Sequence, residues 1–305
     1  MVNDTANYYK TFKLRKKTGG YRWISVPNEE LKLLHRKLNL MIFMRIRPSE
    51  SVHSFVKKSS IRTNAEVHVN AKTCLNVDLY RFYESITDKR VFGYLCKLGY
   101  HPNVSYVIAA LVTIQLPKAF WQEVRKENKF RSKYIRRKPK ARVLPQGSPC
   151  SPFLSNLVLT HLDFRIEQAC KGLGFSYSRY ADDITISSKG DNFFALTTLK
   201  KIIRSEGFTI NIQKISFRRS SSRIQVTGIT VNNGIFVNKS LYKKVVSHLY
   251  YCKKYGVRDH LEKVKLTNKS NYKDWLLGNI LFINSVEPDK AKKLFTEFNQ
   301  IDFLL

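Results

Sequence analysis

FSYSRYADDITISS, residues 175–188, is the stretch on which the fold turns. Aromatic and β-branched residues flank Ala181-Asp182-Asp183, so it reads as strand, tight turn, strand, with two adjacent carboxylates at the tip. Adjacent carboxylates repel, and one is driven toward protonation unless a cation is present. Alone, an Asp-Asp pair in a turn is usually two solvated side chains. A second strand changes that reading. TCLNVDL, residues 73–79, reads as a buried strand that carries Asp78 near its end. Two such strands in one sheet would set Asp78 beside Asp182. The result is an oxygen-rich site for two divalent ions about 3.5–4 Å apart, the arrangement used for in-line phosphoryl transfer. One ion would lower the pKa of an attacking sugar hydroxyl. The other would hold a triphosphate and neutralise the leaving pyrophosphate.

Composition narrows the partners. The chain has 305 residues, enough for one large domain or two to three packed subdomains, and 43% of them are apolar, as in a globular protein. Lys and Arg number 54 against 23 Asp and Glu, a net charge of +31, which is normally matched to a polyanion. Nucleic acid is favoured over a membrane surface. No apolar run reaches the roughly 18 residues of a spanning helix, and residues 1–17 lack the apolar core of a signal peptide. The five cysteines are odd in number and contain no CxxC pair, which fits reduced thiols in a cytosol. No HxxxH or HExxH spacing occurs, so a catalytic metal must sit on oxygen ligands, as Mg²⁺ or Mn²⁺ does.

Along the chain, residues 10–27 predict a β-hairpin around Thr18-Gly19-Gly20, and residues 28–47 a helix capped by Asn28. Residues 88–116 predict two helices broken near Gly99 to Pro102. Residues 118–142 hold eleven Lys or Arg against two acids, with Phe120, Trp121, Phe130 and Tyr134 interleaved. LPQGSPCSP, residues 144–152, predicts a turn opening a helix. A helix follows over 191–206, then strands near 208–217, 223–231 and 235–237, with Asn232-Asn233-Gly234 turning between the last two. Residues 239–305 read as largely helical and basic.

YADD between apolar strands, an upstream strand carrying Asp78, and LPQG between them resemble, in order and spacing, the palm motifs of reverse transcriptases. The resemblance implies an α+β right-hand polymerase. Fingers would span 1–72 with the N-terminal hairpin, an antiparallel palm with its helices 73–237 including a basic insertion at 118–142, and a small helical thumb 238–305. It implies catalysis by Asp78, Asp182 and Asp183 with two Mg²⁺ ions, Mn²⁺ being an alternative, and Lys214 of NIQK as proton donor to pyrophosphate. Lys17 and Arg22 on the hairpin would contact the triphosphate, where Arg offers a bidentate fork. Tyr83 would exclude a 2′-hydroxyl beneath the sugar, with one of Phe82 and Tyr83 in the core. Gln146 and Gly147 would approach the dNTP sugar and base, the glycine letting backbone come close.

NAEVH, residues 64–68, is similar to the NAxxH motif, and Val226-Thr227-Gly228 to the VTG motif, both typical of bacterial retron reverse transcriptases. That resemblance implies a bacterial cytoplasmic enzyme that binds its cognate structured non-coding RNA. It would copy part of that RNA into single-stranded msDNA from an internal guanosine 2′-hydroxyl, alongside a separate antiphage effector protein. RNA contacts are expected from Asn64 and His68, from Arg136 and Arg137 in the basic segment, and from Lys243, Lys244, Lys253 and Lys254 on the thumb. A non-retron enzyme using a 3′-hydroxyl primer and an inactive RNA-binding scaffold are the alternatives.

Overall fold

The computed structural model describes residues 5–16, 19–126, 141–266 and 270–303. It is an α+β fold, and its centre is a four-stranded antiparallel sheet. β1 (Tyr9–Arg15) and β2 (Tyr21–Pro27) form the N-terminal hairpin. The sheet itself holds β3 (Thr73–Asp78), β6 (Phe175–Tyr180), β7 (Asp183–Ser188) and β8 (Ser216–Arg219), in the order β6-β7-β3-β8. Short pairs complete the strands: β4 (Ile114–Gln115) with β5 (Arg142–Val143), and β9 (Gln225–Val226) with β10 (Ile229–Thr230). β3 is central and buried along nearly its whole length, which is why TCLNVD lacks the polar alternation of a half-exposed strand.

Helices Asp88–Lys97, Pro102–Val112, Ser151–Val158, Thr160–Cys170 and Leu196–Ser205 pack on the sheet through Leu95, Ile108, Leu154, Ile166 and Ile203. Helix Glu29–Met41 starts where its cap predicts: Asn28 Oδ1 accepts the Leu31 N–H at 3.0 Å. The helix expected over 191–206 begins later, at Leu196. The preceding carbonyls are used elsewhere: Asn192 O accepts from Thr73 Oγ1 at 2.7 Å, and Asp191 O from Arg219 Nη1 at 3.0 Å.

The strand expected over 223–231 is instead a hairpin. Thr227 and Gly228, at φ +48° and +86°, turn β9 into β10, the geometry of a two-residue primed turn. The chain then reverses again through Asn232–Gly234, and Thr230 and Phe236 exchange backbone hydrogen bonds of 2.9 and 3.0 Å. Four helices end the chain: Lys239–Tyr255, Val257–Lys263, Tyr272–Val286 and Pro288–Asn299. They share one core with Ala65, Cys74, Val226 and Ile229, so the C-terminal region is packed onto the back of the sheet. Among the described residues no helix is long and apolar enough to cross a membrane.

Candidate active site

The register of the sheet builds the site. Asp78, last residue of β3, is the cross-strand partner of Asp183, first residue of β7. Tyr180 pairs with the same Asp183, so Ala181 and Asp182 form a two-residue turn. The Asp182 carbonyl accepts the Leu79 N–H at 2.9 Å, tying the turn to the end of β3. All three acids therefore gather at one end of two adjacent strands.

That turn is strained and held. Ala181 adopts φ +55°, a conformation sparsely populated by residues with a Cβ. Both of its backbone polar groups are fixed. Its N–H donates to Ser54 Oγ at 2.7 Å, and its carbonyl accepts from Arg179 Nη1 at 3.0 Å. Arg179 is fully buried and forks onto Asp163, with Nε–Oδ1 and Nη2–Oδ2 both at 2.7 Å. Tyr177 donates to the same Asp163 Oδ1 at 2.6 Å, and Arg179 Nη1 also reaches Asn156 Oδ1 at 3.1 Å. Removing one partner of such a buried pair costs about 3–5 kcal/mol. This cradle escaped the sequence reading. Its one signal was an arginine in a strand whose other residues are aromatic or serine.

The acids are electrostatically crowded. Withdrawal from water, then the charges of Asp78 and Asp183, push the Asp182 carboxyl up to about 7, against the pull of Lys214. Burial and Asp78 raise Asp183 to about 6, although one edge of its side chain faces solvent. Lys214 Nζ sits 2.6 Å from Asp78 Oδ2. Partial burial opposes the lysine's charge, but the three acids outweigh it and raise its pKa. Among the described residues no His, Cys, Asp or Glu side chains close into a metal cage. The donor set nonetheless fits a hard divalent cation: three carboxylates at one sheet end, kept unfavourably close without a full counter-charge.

Above the acids lies a cleft of about 1140 Å³. Asp78, Asp182, Lys214, Arg22, Tyr83, Gln146 and Gly147 line it together, though they come from five separate segments. Phe82 is core, and Tyr83 is the half-buried aromatic in the wall, where burial and nearby Asp182 raise its hydroxyl to about 12. Gly147 has a sharper role than the sequence suggested. At φ +111°, a Cβ there would meet the Ser25 carbonyl at 2.9 Å. The glycine lets the LPQG turn lie against β2, where Gln146 O accepts the Ser25 N–H at 2.7 Å. Glu84, unforeseen, is buried in the same wall. Burial raises its carboxyl against the pull of Arg81, Lys16 and Arg22, and its Oε2 has no hydrogen-bond partner among the described residues.

Other expected residues fall elsewhere. Asn64 and His68 are each 1% exposed, so neither is a direct RNA contact. His68 bridges Ser187 Oγ at 2.6 Å and Ser178 Oγ at 2.7 Å, and burial, then His53, drive its pKa down to about 3. A neutral, enclosed imidazole cannot serve a phosphate. Ser178 donates to Asn64 Oδ1 at 2.7 Å, and Asn64 Nδ2 reaches Thr227 Oγ1 at 3.4 Å. The NAxxH and VTG motifs are thus one joint linking the sheet to β9 and β10. Phe120 and Trp121, two of the aromatics interleaved in the basic segment, are buried as well. Lys17, Arg136, Arg137, Phe130 and Tyr134 lie outside the described residues. Lys243, Lys244, Lys253 and Lys254 are exposed on helix Lys239–Tyr255, away from the acids in the fold. Lys253 donates to Gln300 Oε1 at 2.7 Å, and Lys244 lies 5.2 Å over the Trp275 ring.

An antiparallel sheet that gathers three acids at one end, two of them in the wall of a cleft that the hairpin also lines, has the architecture of a polymerase palm. The family model for reverse transcriptase (RNA-dependent DNA polymerase) matches residues 14–231, and the chain belongs to that family. Within it the chain resembles retron enzymes. It is 30% identical to the retron Mx65 reverse transcriptase of Myxococcus xanthus, over 95% of this chain and 64% of that protein. It is 30% identical to the retron Ec73 reverse transcriptase of Escherichia coli, over 95% of this chain and 87% of the relative. For the retron Ec86 reverse transcriptase of Escherichia coli the identity is 28%, over 98% and 83%. The chain thus spans a little under two thirds of the Myxococcus relative. An apo telomerase from Candida tropicalis shares the fold, with a TM-score of 0.50 and 11% identity over 97% of this chain and 58% of that one.

Proposed function

We propose that this chain is the RNA-directed DNA polymerase of a bacterial retron. It would copy part of a cognate structured RNA into single-stranded msDNA, beginning from an internal guanosine 2′-hydroxyl. The observation that carries the reading is the pairing of Asp78 with Asp183 at the sheet end, with Asp78 and Asp182 lining a cleft that the basic hairpin also borders. The retron relatives narrow it to that branch.

Asp78, Asp182 and Asp183 would hold the divalent ions, Mg²⁺ by preference. When bound, such ions activate a sugar hydroxyl and neutralise a leaving pyrophosphate. The chain's own residues do the rest. Arg22 binds the triphosphate from the hairpin, and the resemblance gives Lys17 the same role. Tyr83 lies under the sugar and refuses a 2′-hydroxyl. Gln146 and the Gly147 turn border the base and sugar. Lys214, held at Asp78 Oδ2, would pass its proton to the departing pyrophosphate. The exposed thumb lysines hold RNA backbone. A separate effector protein, acting with the msDNA complex in antiphage defence, completes the system in the bacterial cytoplasm.

The test is DNA synthesis by the purified ribonucleoprotein with Mg²⁺ and dNTPs, followed by sequencing of the RNA–DNA junction. Synthesis that survives Asp182→Asn with Asp183→Asn removes the polymerase assignment. A 2′,5′ linkage at one internal guanosine supports the retron reading, and a 3′,5′ junction removes it.

A further inference from the structure

We propose that Glu123 is a positioning residue that fixes the pose of the β1–β2 hairpin over the nucleotide cleft, acting through Lys13 and Trp23. The proposal rests on the reading of that cleft as a nucleotide site.

Glu123 is one of two acids in the most basic stretch of the chain, residues 118–142. An acid there works against binding a polyanion, so it needs another task. Helix Lys118–Lys126 places it against the hairpin. Its Oε1 receives the Lys13 ammonium, and its Oε2 receives the Trp23 indole N–H at 2.9 Å. Lys13 and Trp23 are direct cross-strand partners, so one carboxylate clamps both strands at one rung. The Lys13 ammonium also lies 4.8 Å over the Trp23 ring.

A two-stranded hairpin is marginal by itself and takes its pose from what it leans on. Two of its supports among the described residues bear on the cleft. One is the Ser25–Gln146 backbone hydrogen bond on the LPQG side. The other is the helix. Trp23 meets Phe120 edge-on at 6.2 Å, Phe120 is fully buried, and the Arg81 guanidinium lies 4.8 Å over its ring. Arg81 itself lines the cleft. Trp23 and Arg22 both border the cleft, so anchoring the Trp23 indole on the helix fixes the stretch of strand that carries Arg22. An isolated exposed ion pair would have little effect. This carboxylate instead ties both strands of the hairpin to a helix about a hundred residues further along the chain, with its second oxygen committed to an indole.

The experiment pairs dNTP kinetics on a primed template with amide hydrogen exchange. Glu123→Ala is expected to raise KM for dNTP about fivefold, the equivalent of about 1 kcal/mol. kcat should stay within about twofold, and RNA affinity should not change. Glu123→Gln keeps an acceptor for Trp23 and should fall between the alanine variant and wild type. Lys13→Met should add less to Glu123→Ala than it costs alone, because the two share one interaction. Exchange should accelerate in residues 9–27 of Glu123→Ala and nowhere else. An unchanged KM, strict additivity with Lys13→Met, or faster exchange spread evenly through the chain overturns the proposal. A wild-type protein that incorporates no dNTP removes the nucleotide reading, while hairpin exchange still decides whether Glu123 anchors it.

Discussion

Replacing one of the three clustered acids should make the metal-free protein more stable. The Asp182 carboxyl is raised to about 7 by burial and by Asp78 and Asp183. In the unfolded chain it returns to about 3.9. The folded state therefore holds a proton more tightly. The stability linked to this group is fully present below about pH 4 and is lost as pH rises through about 7. About three pKa units at about 1.4 kcal/mol each set a ceiling near 4 kcal/mol for charging Asp182 at pH 8. The crowded acids share one repulsion, so about half of that, ~2 kcal/mol, is the net relief expected from Asp182→Asn. For a chain of 305 residues that is a rise in Tm of about 3 °C. The assay is thermal melting in chelator at pH 8 and pH 4.5. The variant should melt higher than wild type at pH 8, with the gap shrinking at pH 4.5. Adding Mg²⁺ should raise the wild-type Tm by mass action and leave the variant nearly unmoved. A variant that melts at or below wild type at pH 8 in chelator would refute the argument that these acids are held together against their own repulsion.

Four further outcomes can be measured. Tyr83→Ala should lower the preference for dNTP over rNTP about tenfold or more, read as the ratio of kcat/KM values. Ser54→Ala leaves the Ala181 N–H without its acceptor, a cost of about 1–3 kcal/mol, and should lower kcat with little change in KM as the strained turn loosens. His68→Ala strips Ser178 and Ser187 of their shared partner and should cost about 2–4 kcal/mol in denaturant unfolding, with the salt dependence of RNA binding unaltered. Replacing Lys243, Lys244, Lys253 or Lys254 by Ala should do the reverse. Each lost phosphate contact lowers the slope of log Kd against log salt by about 1, while the melting temperature holds.

The acids and the hairpin were legible because their signals are local. An Asp-Asp pair bracketed by strand-forming residues, or Gly19-Gly20 between alternating runs, carries its own geometry. The extra turn at Thr227-Gly228 was missed because Thr at positive φ has no compositional mark, and VTG read simply as strand. The roles of Asn64 and His68 were missed for a different reason. Polar residues in a short motif suggest an external partner, yet these two satisfy one another and the sheet. A motif that identifies a family can do so because it is architecture.

The same distinction separates the two layers of the site. That Asp78, Asp182 and Asp183 would come together could be read from pattern, since strand and turn signals bracket them. What keeps them in place could not. Arg179, Asp163 and Ser54 lie far apart in the chain, and each alone is an unremarkable residue type. Only the fold shows that both polar groups of a strained Ala181 are fixed from behind. A turn at φ +55° relaxes unless its surroundings over-determine it. The buried fork of Arg179 on Asp163 supplies that constraint on one side and the Ser54 hydroxyl on the other. The acids repel one another in front, and the cradle resists from behind. The position of Asp182 is the balance between the two, so weakening either side should move the carboxylates before it unfolds the protein.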